Sequence, residues 1–240
     1  MMPPIHVVFF DAAETLFHVN GSVAEIYLRH AIRHGFRRMP DSLESITQAF
    51  RRAFREAPPP VFVGTAGAKL KQCERLWWFD IVHNVFYRVG MFEHFDEFFE
   101  EVFQVFEEPR SWVLYPETQR VLTCLRDQGF ELGIVSNFDS RLFTVLRGLG
   151  IESLFHTVTI SSLAQAAKPA PKIFEVALEK HAMDPEEAVH IGDSLRDDAE
   201  AAHKAGLIGI LLDRHGRVEG AGVPVIHTLD ELLPLVTRSK

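Results

Sequence analysis

The chain has 240 residues, 47% hydrophobic and 24% charged, with a formal net charge of −8. That composition suits one or two globular domains with ample core. It has no Lys/Arg run longer than two and no apolar run near the roughly 20 residues of a membrane helix, so neither a nucleic-acid partner nor a membrane is expected.

The first apolar run, residues 6–11, reads as a buried strand that ends on Asp11. From 16 to 112 the spacing turns helical throughout, with segments at 22–34, 42–56, 67–89 and 93–106. Thirteen of the 20 Phe residues lie in this stretch, which implies an aromatic core of its own. Ala57-Pro58-Pro59-Pro60 interrupts it, because proline lacks a donor and restricts its predecessor. Residues 61–68, with Gly64 and Gly67, read as a loop. Beyond 112, strand-like runs at 131–137, 157–160, 188–191, 209–212 and 224–227 alternate with helical segments at 117–128, 141–149, 171–181 and 196–205. This alternation predicts an α/β fold: a Rossmann-like parallel sheet with helices on both faces, formed by 1–15 and 113–240, plus an inserted all-helical cap at 16–112. Cys73 and Cys124 lack metal-ligand spacing and read as reduced, buried thiols. The N-terminus has no basic region before an apolar stretch, so a cytoplasmic location is expected.

Parallel sheets bind ligands at the carboxyl ends of their strands. Asp11, Ser136 and Asp193 all fall there. Asp11 and Asp193 end two different buried strands, so their carboxylates can converge on one divalent metal. Asp11 then faces a phosphate held by that metal, poised as a nucleophile. Asp193 and Asp198 are hard oxygen donors suited to Mg²⁺. Asp193 is the better ligand, Asp198 binds the metal or orients its water, and Asp197 caps or faces solvent. Thr15, Ser136 and the neighbouring Asn137 sit at turns, where hydroxyls and backbone N–H groups can hold phosphate oxygens. Lys168 precedes Pro169 and can neutralise charge between nucleophile and transferring group.

Four motifs in order carry a resemblance over nearly the whole chain. They are Asp11-Ala12-Ala13-Glu14-Thr15; Ser136-Asn137-Phe138-Asp139; Lys168-Pro169-Ala170-Pro171-Lys172-Ile173-Phe174; and Gly192-Asp193-Ser194-Leu195-Arg196-Asp197-Asp198. Together they resemble the haloacid dehalogenase superfamily of hydrolases, in the subfamily with a helical cap after the first strand. The resemblance implies a Mg²⁺-dependent phosphatase acting on a small phosphorylated metabolite. Asp11 and Lys168 would be catalytic, Thr15 would mainly position its loop, and the metal would sit on Asp11, the Ala13 carbonyl, Asp193 and Asp198. A monomer or homodimer is expected.

The first motif departs from that pattern. The phosphatases of the superfamily carry a second Asp two residues after the nucleophile, which protonates the leaving oxygen. Here it is Ala13, and general acid–base help is worth roughly 10²–10⁴-fold. Glu14 replaces a usual Gly, one position off for a substitute acid. The alternative is therefore a catalytically impaired relative that binds a phospho-ligand. The dehalogenase branch also lacks the second Asp, but it loses the acidic pair that Gly192-Asp193 retains. The phosphonate-cleaving branch has Ala there and needs a cap Lys, for which only Lys69 and Lys71 offer themselves. Trp77-Trp78 reads as cap core and hinge contact, with a substrate-facing aromatic shelf as the alternative. The 12 histidines show no ligand spacing, and specificity is expected in the loop 61–71.

Overall fold

A computed structural model describes residues 4–237. The outer ends of the expected core, 1–3 and 238–240, lie outside the described residues. In chain order the elements are β1 (Val7–Phe10), β2 (Phe17–Val19), α1 (Val23–Arg33), α2 (Ser42–Glu56), α3 (Gly67–Val89), α4 (Phe95–Val105), β3 (Trp112–Leu114), α5 (Thr118–Asp127) and β4 (Glu131–Ser136). They continue with α6 (Leu142–Gly148), β5 (Thr157–Ile160), α7 (Ser161–Ala164), α8 (Lys172–Glu179), β6 (Ala188–Gly192), α9 (Glu200–Lys204), β7 (Ile208–Leu212), β8 (Val225–Ile226) and α10 (Leu232–Thr237). Among the described residues no helix is long and apolar enough to cross a membrane.

Six strands form one parallel sheet in the order β5-β4-β1-β6-β7-β8. The strands are apolar on consecutive residues because helices cover both faces, and Val7, Val8, Phe9 and Phe10 are all fully buried. The chain runs from β1 toward β4 and β5 on one side and toward β6, β7 and β8 on the other. The order thus switches direction at β1, where the loops that follow adjacent strands part and leave a crevice. Phe10 pairs with Ile134 and with Ile191, so Asp11, Ser136 and Asp193 stand at the carboxyl ends of three neighbouring strands.

Helices α1 to α4 pack around a separate hydrophobic cluster. In α4, Phe95, Phe98, Phe99 and Val102 recur at helical spacing and are buried, each fully buried Phe contributing about 2–3 kcal/mol. A capping box starts α1: Ser22 Oγ accepts from Glu25 N at 3.2 Å, and the Glu25 carboxylate accepts from Ser22 N at 2.8 Å. Helix α3 ends at Gly90, whose φ of +126° a side chain would resist.

The segment 16–112 is not helical throughout, as the spacing suggested. Phe17–Val19 pairs antiparallel with Trp112–Leu114. Three-residue strands carry too little alternation to be read, and their partner lies about a hundred residues away. The Phe17 and Trp112 rings meet edge-on at 5.3 Å, joining the chain's exit from the sheet to its return. Cys73 and Cys124 are free, and both are partly exposed rather than buried.

Candidate active site

Asp11 follows β1 directly and its backbone N–H donates to the Ile191 carbonyl at 2.8 Å, which ties the start of the loop to β6. The loop then closes tightly, with Leu16 N donating to Ala12 O at 2.8 Å and Glu14 N to Phe17 O at 2.7 Å. Glu14 takes φ of +61°, a conformation that glycine adopts freely and other residues adopt under strain. Arg214, from the loop after β7, braces the turn from behind. It donates to the Thr15 carbonyl at 2.8 Å and to Glu117 at 2.7 Å, and its guanidinium lies 3.5 Å from the Tyr115 ring centre. The Tyr115 hydroxyl donates to Glu14 at 3.2 Å.

Lys168 is buried and reaches both acidic strand ends, with Nζ 2.6 Å from Asp11 and 2.5 Å from Asp198. Burial alone would lower its pKa, but the two carboxylates outweigh that and hold it above the usual lysine range. Asp198 is held from three sides. It accepts from Lys168, from His190 Nε2 at 2.9 Å and from Ser194 N at 3.0 Å. Despite its burial, these partners keep its carboxyl well below the ordinary range. Asp198 lies back against β6 because a wide turn over Leu195–Ala199 carries Ala199 N to Ser194 O at 3.2 Å. It also fits because Gly192 has no side chain. A Cβ there would stand 2.1 Å from the Asp198 carboxyl carbon.

Asp11, Asp193 and Asp198 each offer a carboxylate oxygen, and these lie within 4.8 Å of one another. That meets the expectation of convergence. Burial raises the Asp11 carboxyl; Lys168 pulls it down, Asp198 pushes it up again and the Ser136 hydroxyl favours its anion. Asp193 is exposed at the rim, yet partial desolvation and the charges of Asp11 and Asp198 push it up to about 8.

A cavity of about 360 Å³ opens over this cluster, lined by Asp11, Ala13, Glu14, Ser136, Lys168 and Asp193 at its floor. Thr15 is not among its lining residues. It is fully buried, and its hydroxyl has no hydrogen-bond partner among the described residues, so it does not face a phosphate as expected. Asn137 borders the cavity, but its side chain is committed to Lys168. It accepts from Lys168 N at 2.8 Å and donates to Lys168 O at 2.9 Å, just before the cis Lys168–Pro169 bond. It therefore positions the lysine rather than offering its amide to a ligand. The loop 61–71 contributes nothing to the cavity wall, and Lys69 and Lys71 are exposed away from it. Trp78 does line the cavity and also donates to Asp139 at 2.6 Å, whereas Trp77 bonds the Pro58 carbonyl.

Four contributors, Arg214 among them, were not legible in the sequence. His190 is the lone polar residue in an apolar strand, and that was the available signal. Its pKa is lowered chiefly by burial, so it is neutral and donates from Nε2 to Asp198. Tyr115 gave no local signal, because its partner Glu14 lies 101 residues away; Arg141 pairs with Asp139 only two residues before it, a spacing that ordinary surface charges share.

A family model described as haloacid dehalogenase-like hydrolase matches residues 5–206, and the chain belongs to that family. The zebrafish (Danio rerio) haloacid dehalogenase-like hydrolase domain-containing protein 3 is 30% identical over 99% of this chain and 98% of its own length. A glyceraldehyde 3-phosphate phosphatase of Methanopyrus kandleri is 40% identical over 101 residues, 42% of this chain and 43% of its own. The solved structure of a magnesium-bound HAD-hydrolase from Bacillus subtilis superposes with a TM-score of 0.70 at 20% identity, covering 97% of this chain and 99% of that one. Solved 2-haloacid dehalogenases share the fold as well.

Proposed function

We propose that this hydrolase is a Mg²⁺-dependent phosphatase of a small phosphorylated metabolite that works through an aspartyl-phosphate at Asp11. One observation carries the reading: a buried carboxylate at the switch point of the sheet, bonded to a buried lysine and flanked by two further carboxylates. Five carboxylates line the cavity (Asp11, Glu14, Asp193, Asp197 and Asp198), and among the described residues the only cations lining it are Lys168 and Arg141. Arg141 is neutralised by Asp139. Such a floor repels a phosphate dianion unless a cation joins it, and hard oxygen donors fit Mg²⁺. Asp11, Asp193 and the Ala13 carbonyl would hold the ion, which when bound neutralises phosphate charge. Asp198, committed to three protein donors, mainly fixes Lys168 and completes the acidic shell.

In the reaction, an Asp11 carboxylate oxygen attacks phosphorus, the bond to the ester oxygen breaks, and the alkoxide leaves and takes its proton from solvent water. Water then attacks the aspartyl-phosphate, releasing inorganic phosphate and regenerating Asp11. Lys168 holds the Asp11 carboxylate in place and balances charge on the phosphoryl oxygens. The Ser136 hydroxyl faces the same oxygens. Ala13 supplies no proton, so esters of poor leaving alcohols are turned over slowly. This same gap favours a second reading, a relative that binds a phospho-ligand without turnover. Cleavage of phosphonates through a Schiff base finds no support, since Lys69 and Lys71 do not line the cavity.

The test is hydrolysis of p-nitrophenyl phosphate with and without Mg²⁺, in wild type and Asp11→Asn. Metal-dependent turnover that falls at least 10³-fold in the variant is expected, with a phosphorylated Asp11 trapped in the wild type. Phosphate binding without any turnover points to the binding relative. Turnover that survives Asp11→Asn removes Asp11 from the nucleophile's role.

A further inference from the structure

The part of the cavity above the carboxylates differs sharply from its floor. Val23 and Tyr27 of α1, Phe50 and Phe54 of α2, Trp78 of α3 and Trp112 of β3 form its walls. The polar groups of these walls are mostly committed already. Trp78 Nε1 donates to Asp139, and Trp112 Nε1 donates to the Phe106 carbonyl at 3.1 Å. Arg141 spends Nε and Nη2 on Asp139 and Nη1 on the Phe103 carbonyl at 3.1 Å, and its guanidinium lies 4.1 Å from the Phe103 ring centre. The exception is Tyr27. It is 2% exposed, borders the cavity, and its hydroxyl makes no hydrogen bond among the described residues. Burial keeps this phenol neutral, hence a donor.

Resting on the phosphatase reading, we infer that the substrate is the phosphate monoester of an apolar, ring-bearing alcohol with at most one polar group along its body, not that of a sugar or polyol. Between these walls a polyol would give up water bonds to each hydroxyl and find one free donor, since the acceptors Glu14, Asp193 and Asp197 lie on the floor beside the phosphate, and unreplaced bonds are costly. An apolar ring instead removes aromatic wall from water, including that of Phe54, which is 47% exposed. Tyr27 can then serve one ether, carbonyl or hydroxyl oxygen of the body. The volume, near the lower end for ligand cavities, suits a phosphate and one ring.

The experiment compares 2-phenylethyl phosphate with glycerol 3-phosphate, two primary alkyl esters of similar leaving tendency. Full-length protein with Mg²⁺ should show kcat/KM at least tenfold higher on the phenylethyl ester, and Phe54→Ala should shrink that ratio at least threefold by raising KM. In parallel, calorimetry measures binding of 2-phenylethylphosphonate and 2-hydroxyethylphosphonate. Tighter binding of the phenyl compound by tenfold or more supports the inference even if no ester is hydrolysed, in which case the phosphatase reading alone fails. Turnover that favours glycerol 3-phosphate, or equal binding of the two phosphonates, overturns the inference while leaving the hydrolytic reading intact.

Discussion

At position 13 a methyl group stands on the cavity floor two residues beyond Asp11. It has no proton to deliver to a departing alkoxide. Ala13→Asp therefore should raise kcat on an alkyl phosphate about tenfold or more and change an aryl phosphate little, because phenolates leave without protonation. Steady-state rates on one ester of each kind check this. An unchanged alkyl rate with Mg²⁺ binding retained would favour the binding relative. The neighbouring Glu14 stays in a left-handed conformation against its own preference, held by Tyr115 and by its backbone bond to Phe17. Strain of this kind persists only where surrounding contacts over-determine it.

Among the elements, the loop after β4 holds a buried ion pair, Asp139–Arg141, and hydrogen bonds tie it to helix α3. Asp139 accepts from Arg141 and from Trp78, while Glu74 of α3 accepts from Ser140 N at 3.0 Å. Burial would raise the Asp139 carboxyl, but Arg141 outweighs it and holds the pKa below the ordinary 3.8. A depressed carboxylate stabilises the fold above its unfolded pKa, and that contribution is lost as pH falls through the folded value. Asp139→Asn should thus cost about 3 kcal/mol at pH 7, since it leaves Arg141 buried without its partner. Urea melts should show the gap to wild type narrowing below about pH 4. A gap that stays constant to pH 3 would contradict the assignment.

Over the whole molecule, a four-helix cluster and a sheet core meet above a floor of crowded acids. A cation that binds only the folded chain stabilises it by mass action, about 2.7 kcal/mol at a hundred times its Kd. Millimolar Mg²⁺ should raise the Tm of wild type by several degrees and that of Asp193→Asn by much less, as read by thermal unfolding. An equal shift in both would place the ion elsewhere.

How much was legible depends on the range of the forces involved. Buried parallel strands must be apolar on consecutive residues, and a carboxylate directly after one is visible in the linear chain. That is why Asp11, Ser136 and Asp193 could be read as neighbours before the fold was known, whereas Lys168, eight residues past β5, was placed only by the motif it shares with the family. The commitment of the Asn137 amide to Lys168, the burial of Thr15, the β2–β3 pairing and the aromatic wall over the site could not. Each depends on a partner some 30 to 100 residues away or on which face of a helix turns inward. The acidic strand ends, and the chemistry they allow, are written in the linear order of the residues. Which side chains stay free to meet a ligand follows from the fold, because hydrogen bonds and packing between distant elements claim the others.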